Sequence, residues 1–319
     1  MRLVDIQNLS VSFSQHEGTV QAVRGMTLHV DAGESLGIVG ESGSGKSVTC
    51  MAVLRLLREP PAKITADRMM LAGEDMLSAD RRKLASMRGR VAAMVFQDPM
   101  TAFDPVFSIG HQIIETIQAH RRLSKTEVKA EAASLLAKVE IKNPAAVLES
   151  YPHQLSGGML QRAMIAMALS CRPKILFADE PTTALDVTIQ AQILQLIKNL
   201  QAEFGMGLIM VTHDLGVIAE TVDRVVVMYG GRVMEEGPVQ AIFDAPAHPY
   251  TKALLRSIPG QTPGRQRLTE ISGASPSPVH PPAGCPFHPR CGFADAKCKE
   301  TPSFTSIGNG RHAACWRLQ

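Results

Sequence analysis

An α/β fold with a parallel central sheet is predicted by three apolar segments, each ending in a chemically loaded turn. Ser35-Leu36-Gly37-Ile38-Val39 runs into Gly40-Glu41-Ser42-Gly43-Ser44-Gly45-Lys46-Ser47. Lys174-Ile175-Leu176-Phe177-Ala178 runs into Asp179-Glu180, and Gly207-Leu208-Ile209-Met210-Val211-Thr212 runs into His213. Short apolar runs with β-branched residues read as buried strands. When such strands lie parallel, ligands collect at their carboxyl ends.

The remaining elements follow in order. Residues 2–30 alternate between apolar and polar, which reads as antiparallel strands, with Leu9 to Phe13 among them. Val48 to Leu57 has apolar residues at helical spacing, so the first glycine loop lies between a strand and a helix. From Asp98 to about Ser150 the pattern is helical, with stretches such as Ile109–His120 and Lys125–Val139. Met159 to Leu169 and Val187 to Phe204 read as further helices. Arg224–Met228 and Arg232–Glu236, joined by Tyr229-Gly230-Gly231, read as a hairpin. After Ile258 the sequence turns rich in Pro, Gly and Ser through Gly284, which marks a C-terminal extension over 258–319.

Gly40 to Ser47 fits G-x-x-x-x-G-K-[ST]. Glycines let a backbone wrap closely and direct N–H groups at phosphates, and the helix N-terminus adds its positive dipole end. Lys46 is a mobile charge for the β- and γ-phosphates, and the Ser47 hydroxyl can reach Mg²⁺. Consecutive carboxylates at the end of a buried strand need a positive partner. Asp179 is therefore assigned to the metal side, and Glu180 to polarising the attacking water. A strand-end histidine alone is usually structural, but beside two such strand ends His213 can reach the γ-phosphate. Leu155-Ser156-Gly157-Gly158-Met159-Leu160-Gln161 opens another helix and makes a second anion-facing helix start. One chain cannot fold both starts onto the same γ-phosphate, so a head-to-tail dimer is expected.

The 319 residues suffice for one large α/β domain with an appendage. A formal net charge of +3 demands no nucleic-acid partner, and aromatic residues at 4% leave little for a base-stacking surface. The longest uncharged apolar run, Ala163 to Cys171, is far short of the roughly 18 to 20 residues that span a bilayer. Asp5, Gln7 and Asn8 interrupt any apolar leader. The chain is thus expected in the cytoplasm, with any membrane-spanning part on separate chains. A chromosome- or DNA-repair ATPase is disfavoured, because Lys46 to Ser156 contains no heptad run of useful length.

Taken together, these motifs resemble the ATP-binding subunits of ABC transporters, from Leu3 to about Leu255. The resemblance implies a P-loop NTPase with a RecA-like core and parallel sheet, an antiparallel β subdomain and a helical signature subdomain over about 98–165. These would make up an ATP-binding domain over 1–257. It implies ATP contacts from Phe13, Gly40, Glu41, Ser42, Gly43, Ser44, Gly45, Lys46, Ser47 and Val48, with Phe13 stacking on adenine. Mg²⁺ would be met by Ser47, Asp179 and Gln97, the last in Val95-Phe96-Gln97-Asp98-Pro99. Ser156, Gly157, Gly158 and Gln161 would contact the ATP of the opposite subunit, and Asp186 in Ala184-Leu185-Asp186 would be the D-loop aspartate. Glu180 would be the catalytic base, with His213, Gln97 and Lys46 completing the catalytic set.

Four of the six cysteines lie in the extension, as Cys285, Cys291, Cys298 and Cys315. Cys50 and Cys171 sit in apolar helical contexts and read as buried small hydrophobes. Disulfides conflict with a reducing cytosol, and four thiolates suit zinc or an iron–sulfur cluster; unconnected thiols are the other reading. Gly284-Cys285-Pro286-Phe287-His288-Pro289-Arg290-Cys291, with His248-Pro249-Tyr250-Thr251 upstream, is similar to the oligopeptide, dipeptide and nickel importer branch. That similarity implies a 4Fe–4S cluster on the four cysteines, with Zn²⁺ as the alternative. It implies peptide cargo, with nickel, another chelated metal or glutathione as the alternative. It also implies a homologous second ATPase subunit in a heterodimer, two transmembrane permease subunits and, indirectly, an extracytoplasmic substrate-binding protein. The place implied is peripheral, on the cytoplasmic face of the inner membrane.

Overall fold

The computed structural model describes residues 1–183, 185–257 and 271–319. Ala184 of the expected D-loop and residues 258–270, where the expected extension begins, lie outside them. The chain opens with β1 (Arg2–Gln15), β2 (Gly18–Asp31), β3 (Ser35–Val39), α1 (Lys46–Val53), β4 (Ala62–Thr65), β5 (Arg68–Leu71) and β6 (Glu74–Asp75). Next come α2 (Arg81–Met87), β7 (Ala92–Val95), α3 (Pro99–Ala102), α4 (Ile109–His120), α5 (Lys125–Lys138), α6 (Pro144–Glu149) and α7 (Gly157–Leu169). There follow β8 (Ile175–Asp179), α8 (Val187–Phe204), β9 (Gly207–Thr212), α9 (Leu215–Thr221), β10 (Arg224–Tyr229) and β11 (Arg232–Pro238). Helices α10 (Val239–Asp244) and α11 (Pro249–Arg256) precede the short strands β12 (Thr305–Gly308) and β13 (Arg311–Ala313).

These elements fall into two compact units. One comprises Met1, Asp31–Gly33 and Ala79–Ile209. In it β7 and β8 pair in parallel, Ala92 opposite Ile175 and Val95 opposite Ala178. Helices α4, α5 and α6 pack on one another, and α7 packs on α4, α5 and β7. Local chemistry starts these helices where the sequence places them. Ser108 Oγ accepts from the His111 N–H, and Ser124 with Glu127 forms a reciprocal capping box. Arg162 of α7 donates to the Val139 carbonyl at 2.9 Å and to Glu140 Oε2 at 2.8 Å, tying the signature helix to the end of α5.

The other unit comprises Arg2–Val30, Glu34–Ser78 and Met210–Gln319. Its antiparallel sheet runs in the order β2-β1-β5-β6, with β4 also on β1 and Phe13 opposite Ala62. The alternation legible in residues 2–30 puts Val4, Ile6, Leu9 and Val11 inside. A second set of strands pairs β3 in parallel with β10 and β10 antiparallel with β11. Strand β3 and Val225 to Tyr229 of β10 are buried throughout, as the unbroken apolar runs demand. The expected hairpin is present, with Tyr229 opposite Arg232 and Gly230-Gly231 at its turn.

One expectation is corrected. The helix after the glycine loop ends at Val53 rather than Leu57, because Arg55 adopts a left-handed φ of 54° and prolines stand at 60 and 61. The C-terminal extension adds two short strands beyond its Pro-, Gly- and Ser-rich stretch. Strand β13 joins the hairpin, Glu235 opposite Ala313, and β12 pairs with β13.

Candidate functional site: the glycine loop, the strand-end carboxylates and the signature helix

The glycine loop follows β3 and opens α1. Gly40 adopts φ 152°, and a Cβ there would lie 2.1 Å from the Met228 carbonyl; at Gly45, φ 100°, it would lie 2.3 Å from the Ala22 carbonyl. Backbone crowds the loop at both ends, so no other residue fits. Lys46 is 5% exposed and donates Nζ to the Gly40 carbonyl at 2.8 Å and the Glu41 carbonyl at 3.0 Å. The Ser44 hydroxyl is buried and has no hydrogen-bond partner among the described residues. Gly45, the residue before α1, offers no side-chain cap, and the start of α1 has the positive dipole end that suits an anion. Ser42 and Gly43 are exposed, and Ser47 and Val48 half-buried. This loop defines a binder of nucleoside triphosphates.

Asp179 ends β8 and is 6% exposed, while Glu180 beside it takes φ 45°, a left-handed conformation rare for a side chain of this kind. Glu180 Oε2 accepts from Gln97 Nε2 at 2.8 Å and from Thr183 Oγ1 at 2.9 Å. Strain of this sort persists where surrounding bonds over-determine it. Gln97 itself is exposed, just past β7. Ser156 caps α7, its Oγ accepting from the Met159 N–H, and Ser156 and Gly157 are exposed at the helix start with Gly158 half-buried. Gln161 does not share that face. It is 2% exposed, and its amide donates to the Pro181 carbonyl at 2.7 Å, so it ties α7 to the turn after β8 within its own chain. Asp186 caps α8, accepting from the Ile189 N–H at 3.0 Å.

His213 is exposed just past β9, before Asp214, the cap of α9. Phe13 is half-buried on β1. Cys50 is buried at 1% exposure as expected, but Cys171 is only half-buried because it lies past the end of α7.

The tail thiols lie near enough to influence one another. Burial, the largest cause, pushes Cys285 up to about 11, and the neighbouring Cys315, Cys298 and Cys291 add to the shift. Burial likewise raises Cys291 and Cys315. Among the described residues, however, no group of three or more His, Cys, Asp or Glu side chains is placed to hold a metal ion. The donors have the sulfur chemistry of a soft-metal site without its arrangement.

Sequence reasoning gave no role to a cluster beside the glycine loop. Tyr250 Oη accepts from the Glu41 N–H at 3.0 Å, and Arg290 Nη1 donates to Glu41 Oε2 at 2.8 Å. These residues stand in the tail motifs, yet their partners lie more than two hundred positions away, beyond the reach of spacing rules.

The comparisons agree with this construction. The sequence model of the ABC transporter family matches residues 23–183, and that of the oligopeptide/dipeptide transporter C-terminal region matches residues 234–298. A probable peptide ABC transporter ATP-binding protein of Sinorhizobium fredii is 49% identical over 317 residues, which cover 99% of this chain and 95% of that one. The dipeptide transport ATP-binding protein of Escherichia coli is 44% identical over 316 residues, covering 99% and 96%. A dimeric ATP-binding cassette solved in a post-hydrolysis state with ADP and phosphate is 28% identical. It superposes with a TM-score of 0.64 over 74% of this chain and 98% of that one. The chain belongs to the ABC transporter family of ATP-binding proteins and is an ATPase of that type. No helix among the described residues is long and apolar enough to cross a membrane.

Proposed function

We propose that this chain is the ATP-hydrolysing subunit of an importer of di- and oligopeptides. One observation carries the reading: similarity at 44–49% identity to peptide-transport ATP-binding proteins extends over 99% of the chain, the cysteine-bearing tail included. Permease subunits would supply the membrane path, and the chain would sit peripherally on the cytoplasmic face of the inner membrane. An exposed apolar set next to Gln97 supports a docking role there. Phe96, Met100, Val106 and Phe107 are 36%, 50%, 68% and 44% exposed, too much apolar surface in one short segment for an idle face.

In the proposed mechanism the glycine loop receives the triphosphate, Lys46 moving from its carbonyl seat to the phosphates. Ser47, Asp179 and Gln97 would hold Mg²⁺, and this oxygen-only donor set is the kind that ion takes. Held there, the ion would supply positive charge to offset that of the phosphates. Glu180 would hold the attacking water and take its proton, with His213 at the γ-phosphate. Phe13 would cover the base. Ser156, Gly157 and Gly158 would meet the nucleotide of a second, homologous subunit, with Asp186 at the same junction. Dimer closure would then be coupled to ATP binding and reopening to hydrolysis. A heterodimer is the assembly proposed, fed indirectly by an extracytoplasmic binding protein.

For the tail, the all-sulfur donor set and the resemblance support a 4Fe–4S cluster, with Zn²⁺ second. The thiols would have to rearrange to ligate it. Iron, sulfide and zinc analysis of anaerobically purified chain decides: iron with equimolar sulfide upholds the cluster, and zinc alone or no metal overturns it.

The cargo is tested by uptake in cells lacking this chain. Labelled dipeptide uptake should be lost and restored by wild type but not by Lys46→Ala. Loss of nickel or glutathione uptake with peptide uptake intact would overturn the peptide reading.

A further inference from the structure

Arg290 lies in the loop between Cys285 and Cys291, yet its guanidinium is spent on the glycine loop and its surroundings. Nη1 donates to Glu41 Oε2 at 2.8 Å and to Tyr229 Oη at 2.9 Å; Nη2 and Nε donate to the Ile271 and Ser272 carbonyls at 2.7 and 2.9 Å. The Arg290 side chain is 8% exposed and that of Glu41 23%, so water screens the pair poorly. Ser275 Oγ donates to the same carboxylate oxygen at 2.6 Å. The Glu41 main chain is held as well, its N–H on Tyr250 Oη and its carbonyl on Lys46 Nζ.

The loop that carries Arg290 is itself anchored. Phe287 is 3% exposed and packs edge-on against Tyr229 at 5.3 Å between centroids, with Tyr250 also at 5.3 Å. A rigid aromatic cluster therefore presents one cation to the second residue of the glycine loop. An unpaired carboxylate there would repel a triphosphate.

We infer that Arg290 is a positioning residue for nucleotide binding: by neutralising and fixing Glu41, it lets the cysteine-bearing tail set the chain's affinity for ATP. The inference rests on reading Gly40 to Ser47 as the nucleotide loop. A mere strut for the tail would affect stability and leave nucleotide affinity alone.

The test is ATP-dependent hydrolysis by the assembled complex, together with equilibrium binding of a fluorescent ATP analogue to the full chain. Arg290→Ala is expected to raise the KM for ATP roughly tenfold with kcat little changed, the scale of one lost charge-assisted contact. Arg290→Lys, which keeps the charge, should recover most of the loss. Glu41→Ala combined with Arg290→Ala should be no worse than Glu41→Ala alone, since the two act as one unit. Should Arg290→Ala fail to fold, Arg290→Met keeps the packed stem and is expected to show the same rise. An unchanged KM in a folded variant with a lowered melting temperature overturns the inference, as do additive effects in the double variant. If Lys46→Ala binds the analogue as wild type does, the nucleotide-loop reading itself falls, a separate failure.

Discussion

Gln97 Nε2 donates to Glu180 Oε2 at 2.8 Å, joining a residue two positions past β7 to the residue after β8. The parallel pairing of Val95 with Ala178 brings the two strand ends level, so this bond follows from sheet register. The amide holds a carboxylate whose backbone already sits in an uncommon conformation.

Removing that amide leaves Glu180 in place with the hydrogen bond from Gln97 gone and the one from Thr183 Oγ1 kept. Gln97→Ala is expected to lower kcat roughly tenfold to a hundredfold, the range of a misplaced general base, and to keep ATP affinity within about twofold. Steady-state kinetics with parallel binding measurements check this; unchanged kcat would show that Gln97 does not orient Glu180.

At Ser156 the cap and the proposed trans contact can be separated. Aspartate caps a helix as well as serine does, so Ser156→Asp should leave the melting temperature unchanged. Its negative charge would face the partner's nucleotide, so hydrolysis by the complex should drop by about a hundredfold or more. Normal turnover in this variant would place the signature helix start away from the nucleotide.

His248 gives a pH test. It is 1% exposed and caps α11, Nδ1 accepting from the Tyr250 N–H at 3.0 Å, while its backbone N–H donates to Glu235 Oε2 at 2.8 Å. Burial, with Lys252 adding, lowers its pKa to about 4. The unfolded chain, titrating near 6.5, then binds the proton that the folded chain refuses, so stability is fully present above about 6.5 and falls as pH drops towards 4. Between pH 7.5 and 5 the wild type should lose about 2 kcal/mol more than His248→Asn, which keeps a capping oxygen but cannot titrate. Equal losses in denaturant titrations would contradict a neutral buried His248.

Local signals carried much of this reading. The boundaries of α4 and α8 and the hairpin turn were legible because caps, glycines and apolar periods act within a few residues. Two kinds of feature were not. The end of α1 depends on the Arg55 backbone as well as on the prolines beyond it, and Gln161 looks like a surface contact until the Pro181 carbonyl is seen beside it. The tail strands and the Arg290–Glu41 pair are set by partners far along the chain, which no window of sequence contains.

Glu180 carries the central claim of an ATP-driven subunit. The most direct measurement is phosphate release by the assembled complex carrying Glu180→Gln, with bound ATP quantified in the same sample. The account predicts turnover reduced by about a hundredfold or more, with ATP retained and the dimer held closed. Rapid turnover with Gln at this position, or loss of ATP binding along with turnover, would contradict it.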